Sequence, residues 1–304
     1  HSLAIKALKL NNISYSKPID NHILETTFCE KKLSSPIGVA AGFDKNAEVY
    51  NPLFNLGFGF VEVGTITPKP QFGNPKPRVF RLEEDEALIN RLGFNNSGSE
   101  QISQTIKENN KKGFLGINIG PNKDSKDRIE DYLICFRKFY NLADYITINI
   151  SSPNTENLRD FHNQDELNSL IDKIKNEKKE LNSNIPLSIK VSPDWEDEHL
   201  KSIGDIILAK EKMIVNAGNT QFKTIEYLGL KKDSLPRGGG GLSGLAIFPR
   251  TLQMINLFSD MNLIIMATGG ISTVHHLNAA RDAGATLFGI CLLYTSDAAD
   301  DDVR

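Results

Sequence analysis

Apolar runs of strand length recur along the chain, bounded by Gly, Pro, Asn or Ser, near 36–43, 58–67, 113–120, 145–151, 186–193, 213–218, 263–270 and 286–293. Amphipathic stretches of helical period lie between them, near 44–56, 97–112, 126–142, 163–180, 195–210, 247–259 and 273–283. Strict alternation of this kind means parallel strands joined by crossover helices. Eight strands favour an α/β fold closed as a (β/α)8 TIM barrel over a doubly wound open sheet. A helical pattern over Ser2–Leu10, with Lys6 and Lys9 among Leu, Ala and Ile, predicts a partial N-terminal helical extension. Two connections, 68–96 and 219–245, are long for a compact domain, and both follow the carboxyl end of a strand, where a barrel keeps its active site. We therefore expect residues 1–30 to be the remnant of an extension, 31–293 the barrel, and 294–304 an atypical tail.

Composition narrows the function classes. An apolar fraction of 39% supports a real core and excludes intrinsic disorder. A net charge of −3 with no long basic stripe gives a nucleic-acid partner little electrostatic support. Cys29, Cys135 and Cys291 are odd in number and far apart, which excludes a disulfide framework and a CxxC metal knuckle and fits a reducing compartment. His275 and His276 are adjacent, so they diverge on a helix, and no metal site is expected. No apolar run is long enough to span a bilayer.

The strand ends carry the chemistry. In Tyr145-Ile-Thr-Ile-Asn-Ile-Ser151 the isoleucines share one face, and Thr147, Asn149 and Ser151 share the other. Asn118 in Gly116-Ile-Asn-Ile-Gly120 and Lys190 in Ser188-Ile-Lys-Val-Ser192 repeat the pattern. A lysine pointing into a barrel is costly without an anionic or carbonyl partner, the alternative being a lysine that snorkels to solvent. Three polar side chains on one mouth suggest a flat ligand held by several hydrogen bonds. Ala267-Thr-Gly-Gly-Ile-Ser-Thr273 ends a strand in two glycines before Ser272 or Thr273 can cap a helix, the arrangement of a phosphate site after a seventh barrel strand. The run Gly238–241 permits close backbone approach to a ligand, or is simply a flexible loop. Ser151-Ser-Pro-Asn154 offers a nucleophile, a base or a helix cap, and the absence of a GxSxG elbow argues against a hydrolase.

Ala40-Ala-Gly-Phe-Asp-Lys45, Glu62-Val-Gly-Thr65, Asn90-Arg-Leu-Gly-Phe-Asn-Asn96, Gly116-Ile-Asn-Ile-Gly120, Asn149-Ile-Ser-Ser-Pro-Asn-Thr155, Gly240-Gly-Leu-Ser-Gly244 and Gly269-Gly-Ile271 together resemble dihydroorotate dehydrogenase. The match runs in order from about Ser2 to about Ile290, and the serine at the catalytic position resembles class 2, the quinone-linked branch. The resemblance implies an FMN enzyme that oxidises dihydroorotate to orotate in pyrimidine synthesis and passes electrons to a membrane quinone. Ser152 would be the base that takes the C5 proton while C6 delivers hydride to flavin N5, with Thr155 and Phe94 shaping a proton relay. Asn90, Asn149, Asn154, Asn219 and Thr220 would bind the orotate ring and carboxylate, with Arg91, Leu92, Gly93, Phe94 and Lys45 beside them. Ala41, Gly42, Phe43, Asp44, Lys45, Thr65, Asn118, Asn149 and Lys190 would line the FMN, with Gly218, Gly244, Gly270, Tyr294 and Thr295 contributing around it. Class 2 membership further implies peripheral attachment through an N-terminal extension to the cytoplasmic face of a bacterial inner membrane, or to the mitochondrial inner membrane in a eukaryote.

Two departures from the family pattern stand out. Met213-Ile-Val-Asn-Ala-Gly-Asn-Thr220 aligns Asn219-Thr220 with the family's Asn-Thr pair but leaves Gly218 opposite a hydroxyl residue. Beyond Ile290 the sequence leaves the pattern, and Tyr294-Thr295 restores a phosphate-binding pair only superficially. The expectation is truncation at both ends, with the tail a frameshift or read-through. Rival readings are a class 1-like dihydroorotate or dihydropyrimidine dehydrogenase, opposed by Ser152, and a barrel aldolase using Lys190 as a Schiff base, which leaves the converging asparagines unexplained. A non-catalytic remnant is the third.

Overall fold

The computed structural model describes residues 2–10, 24–82, 85–152, 164–210, 213–224 and 239–291. Eight parallel strands close into a barrel. They are β1 (Ile37–Val39), β2 (Phe60–Ile66), β3 (Phe114–Ile119), β4 (Tyr145–Asn149), β5 (Leu187–Val191), β6 (Ile214–Ala217), β7 (Ile264–Thr268) and β8 (Leu287–Ile290). Neighbouring strands pair in chain order, and β8 closes on β1 through Phe288, Gly289 and Ile290 beside Ile37, Gly38 and Val39. Each expected strand is present, shorter than its apolar run.

Around the barrel lie α2 (Tyr50–Asn55), α3 (Ser99–Glu108), α4 (Arg128–Phe139), α5 (Gln164–Glu180), α6 (Asp197–Lys210), α7 (Phe248–Asp260) and α8 (Val274–Asp282), with α1 (Ser2–Leu10) packed against α2. The helix expected over 44–56 keeps only its second half. Asp44 is the reason: its buried carboxylate accepts the Glu48 and Val49 N–H groups at 2.8 Å each, and Ala47 takes a positive φ of 57°. That local turn uses the donors a helix would have needed. Burial pushes the Asp44 carboxyl up from its ordinary value, against the pull of these backbone donors.

Period two along the strands sorts the core. Val61, Val63, Leu115, Ile117, Ile146, Ile148, Ile189, Val215 and Ile265 face outward into the main core, beneath Leu133 and Phe136 of α4, Leu170 of α5 and Phe258 of α7. The alternate residues point into the barrel. A second apolar cluster gathers Phe60, Phe114, Tyr145, Ile214 and Leu287, each the first residue of its strand, with Met266 of β7. Phe28 and Leu33, from a hairpin of Thr26–Phe28 and Lys31–Leu33, complete it and close the amino end of the barrel.

The opposite end is covered by a structure that the two long connections build together. Gln221–Thr224, Gly239–Gly244, Ala87–Asn90 and Val79–Leu82 form a four-stranded antiparallel sheet in that order. The expected loop at 238–241 is, from Gly239 on, part of a buried central strand rather than a loop. Its glycines are required by packing: a Cβ on Gly239 would lie 2.3 Å from the Lys223 carbonyl, and one on Gly240 would lie 2.6 Å from Ile89 Cγ2. The tail at 294–304, with Tyr294 and Thr295, falls outside the described residues, as do Asn154 and Thr155.

Candidate active site

The carboxyl ends of the strands and the covering sheet enclose a cleft lined by residues from both. The barrel contributes Ala41 and Gly42 after β1, Thr65 in β2, Asn149 and Ser152 at the end of β4, and Lys190 in β5. Asn219 and Thr220 follow β6, and Gly270 follows β7. Asn90, Leu92, Gly93 and Phe94 come from the covering sheet and the chain that leaves it, and Lys45 approaches from the β1 side. Fourteen residues anticipated from the sequence therefore share one cavity.

Others stand back from the cavity wall. Asn118 lies beneath it, completely buried, with its amide bonded to Thr65 and Asn149. Asp44 holds the turn described above, and Phe43 packs against the main core. Arg91 is buried, with its backbone N–H bonded to the Arg78 carbonyl. Gly218 and Gly244 serve backbone packing: at φ 119° a Cβ on Gly218 would lie 1.8 Å from the Thr268 carbonyl, and one on Gly244 would lie 2.6 Å from the Glu86 carbonyl. Gly218 thus needs no ligand to account for it.

Sequence reasoning missed Gly64, Asn95, Ser243, Ile247, Thr268, Gly269, Ile271, Gly289 and Ile290 as cleft residues, and Cys291 beside them. Thr268 and Gly269 had a usable signal, since they sit at the strand end already singled out for its glycine pair. Ile247 had none, because its place depends on how the cover folds back.

Lys190 is buried on the cavity wall and makes no ion pair with any described residue. Lys45 donates to the Gly42 carbonyl at 2.6 Å. Two cations on one cavity make it a site for an anionic or strongly polar ligand. The buried Thr268 Oγ1 and Asn95 Oδ1, both on cavity residues, have no hydrogen-bond partner among the described residues. A buried polar atom left without a partner is costly, so these two also point to a polar occupant. Phe94 holds a left-handed φ of 52°, the kind of backbone strain that collects at functional sites. Gly269 and Gly270 border the cleft where α8 begins, and Thr273 Oγ1 caps that helix by accepting the His276 N–H at 3.2 Å. Of the two anticipated caps, Thr273 takes the role.

Comparison with known proteins agrees with this geometry. Residues 23–301 match the family model described as dihydroorotate dehydrogenase. The chain belongs to the dihydroorotate dehydrogenase family. Among curated members it is 41% identical over 294 residues to the dihydroorotate dehydrogenase (quinone) of Bartonella tribocorum, covering 94% of this chain and 81% of that protein. It is 42% identical over 272 residues to the enzyme of the same name from Acinetobacter baylyi, covering 86% and 80%. Its fold is similar to the crystal structure of the Eimeria tenella dihydroorotate dehydrogenase in complex with ferulenol, with a TM-score of 0.87 and 32% identity over 95% of this chain and 84% of that one. Both curated relatives are named dihydroorotate dehydrogenase (quinone), the class 2 branch.

Proposed function

We propose that the chain oxidises dihydroorotate to orotate, a step of pyrimidine synthesis, with FMN as cofactor and a quinone as final electron acceptor. The observation that carries the reading is the convergence of Ser152, Lys45, Lys190 and the asparagines Asn90, Asn149 and Asn219 on one cavity in a member of this family. The residues present fit a flavin mononucleotide. Among the described residues Lys190 offers a buried cation without an ion-pair partner and Thr268 a buried hydroxyl without a hydrogen-bond partner, and Gly269 and Gly270 border the cavity beside the start of α8. Ala41, Gly42, Thr65, Asn149 and Lys190 would hold the cofactor, with Gly269 and Gly270 on its phosphate side.

Asn90, Asn219 and Thr220 would bind the substrate ring and its carboxylate. Ser152 then takes the C5 proton as the hydride leaves C6, so that one proton and one hydride depart and the C5–C6 bond becomes double. An FMN held there would supply a two-electron acceptor for that hydride and a route for the electrons to quinone. Lys190 and Lys45 set a positive field where negative charge arrives. To reach a membrane quinone the protein would attach peripherally to the cytoplasmic face of a bacterial inner membrane, or to the mitochondrial inner membrane in a eukaryote; among the described residues no helix is long and apolar enough to cross a membrane.

The purified protein is expected to be yellow, to bleach with dihydroorotate, and to recover colour with a soluble quinone but not with fumarate or NAD. A colourless preparation that traps substrate on Lys190 under borohydride would establish an aldolase instead. Recovery with fumarate would move the chain to class 1.

A further inference from the structure

Glu62 is completely buried in the barrel interior and has no part in the chemistry above. Three donors converge on it: Asn118 Nδ2 at 2.9 Å, Tyr145 OH at 2.9 Å and Thr147 Oγ1 at 2.7 Å. A carboxylate accepts and cannot donate, so Asn118 must present its NH2 downward and its oxygen upward. That oxygen accepts from Thr65 Oγ1 at 2.7 Å and from Asn149 Nδ2 at 3.1 Å. Asn149 Nδ2 also donates to Thr65 Oγ1 at 2.8 Å, which leaves Asn149 Oδ1 as the acceptor for the Ser151 N–H and hydroxyl at 3.1 and 2.8 Å. Having given its proton to Asn149, Ser151 Oγ accepts from Asn219 Nδ2 at 2.6 Å. Asn219 Oδ1 in turn accepts the Thr220 N–H at 2.7 Å.

We propose that Glu62 is a positioning residue whose carboxylate sets the donor–acceptor polarity of this whole string, and so fixes which atom Asn219 offers to the cleft. An amide can flip at little cost where both its faces find partners, but here every link has one direction only once the base of the string is an acceptor. Without Glu62 the three amides could turn independently, and an N–H meant for a ligand oxygen would be exchanged for a second oxygen. The inference rests on the reading that orotate occupies this cleft.

The test is orotate binding to the FMN-loaded protein by calorimetry, with thermal melts beside it. Wild-type protein must bind orotate, and failure there overturns the functional reading rather than this one. Glu62→Gln keeps an oxygen for Asn118 and turns its NH2 toward two hydroxyls that can accept, so its affinity should stay within about twofold of wild type. Glu62→Met removes the acceptor and should weaken orotate about tenfold. That loss should vanish in an Asn219→Ala background, because the effect travels through Asn219, whereas a general loosening of the barrel would add to it. Ser151→Ala cuts the string near its upper end without touching the barrel centre and should cost a similar factor, which keeps the inference testable if Glu62→Met does not fold. Unchanged affinity in folded Glu62→Met or in Ser151→Ala, or a Glu62→Met loss that persists undiminished beside Asn219→Ala, would overturn it.

Discussion

Ser152 is the residue on which the proposed chemistry turns. It sits at the cavity wall just past β4, and its hydroxyl is too weak a base to act without help from its surroundings. Ser152→Ala should therefore lower the rate of flavin reduction by dihydroorotate by about 10²–10⁴-fold, the usual worth of a general base. Flavin content should stay at the wild-type level, because cofactor anchoring falls to other residues. Stopped-flow reduction across pH decides this, and a rate within a few-fold of wild type would remove Ser152 from the role. Gly218 makes the opposite kind of prediction. A side chain there would strike the Thr268 carbonyl while holding a φ that only glycine accepts readily, so Gly218→Ala should lower the melting temperature, with a stability loss on the order of 1–3 kcal/mol. Thr268 borders the cleft, so flavin content should fall with it.

At the scale of elements, the barrel was legible and its cover was not. Strands buried on both faces betray themselves as apolar runs interrupted by single inward polar residues, and Thr147, Asn149 and Lys190 do point inward as their spacing indicates. The covering sheet escaped for a physical reason. Its central strand is Gly239–Gly244, and glycine in a strand reads locally as loop because it has little side chain to pack and much freedom to lose. Pairing on both sides makes it a strand, with Gln221–Thr224 and, across some 150 residues of intervening chain, with Ala87–Asn90, where Asn90 Nδ2 donates to the Gly241 carbonyl at 3.3 Å. The turn at Asp44 was equally invisible, since nothing in an apolar pattern records a carboxylate accepting two backbone donors. The cover also carries Asn90 and Ser243 into the cavity. Gly240→Val, whose branched side chain would collide with Ile89 and Arg91, should displace those residues while leaving the barrel intact. Steady-state kinetics should show KM for dihydroorotate raised about tenfold or more against a small change in melting temperature. An unchanged KM would mean that the cover tolerates the collision and does not shape the substrate site.

The whole molecule is a cylinder with chemistry at one end and a stability lock at the other. Asp144, just before β4, is nearly buried and is tied to two other segments: the amino-terminal hairpin through Lys31, and the start of β3 through Lys111 at 2.6 Å and the Leu115 N–H at 2.8 Å. Burial works to raise the Asp144 carboxyl, but the two lysines and the backbone donor outweigh it and hold the group below its ordinary value. A carboxyl depressed in the folded state contributes stability that is present above the unfolded value of about 3.9 and is lost as pH falls through the lower folded one. Wild-type protein should accordingly lose melting temperature below about pH 4, with Asp144 contributing to that limb. Asp144→Asn should melt lower than wild type near neutral pH, by the equivalent of about 1–3 kcal/mol for charge-assisted bonds whose lysines remain partly solvated. The gap between the two proteins should close as the pH is lowered, since protonation makes the wild-type group resemble the amide. Melts of both proteins from pH 3 to 8 test this. A gap that stays constant over that range would show that the packing of Phe28 and Leu33, not the carboxylate, locks the closed end of the barrel.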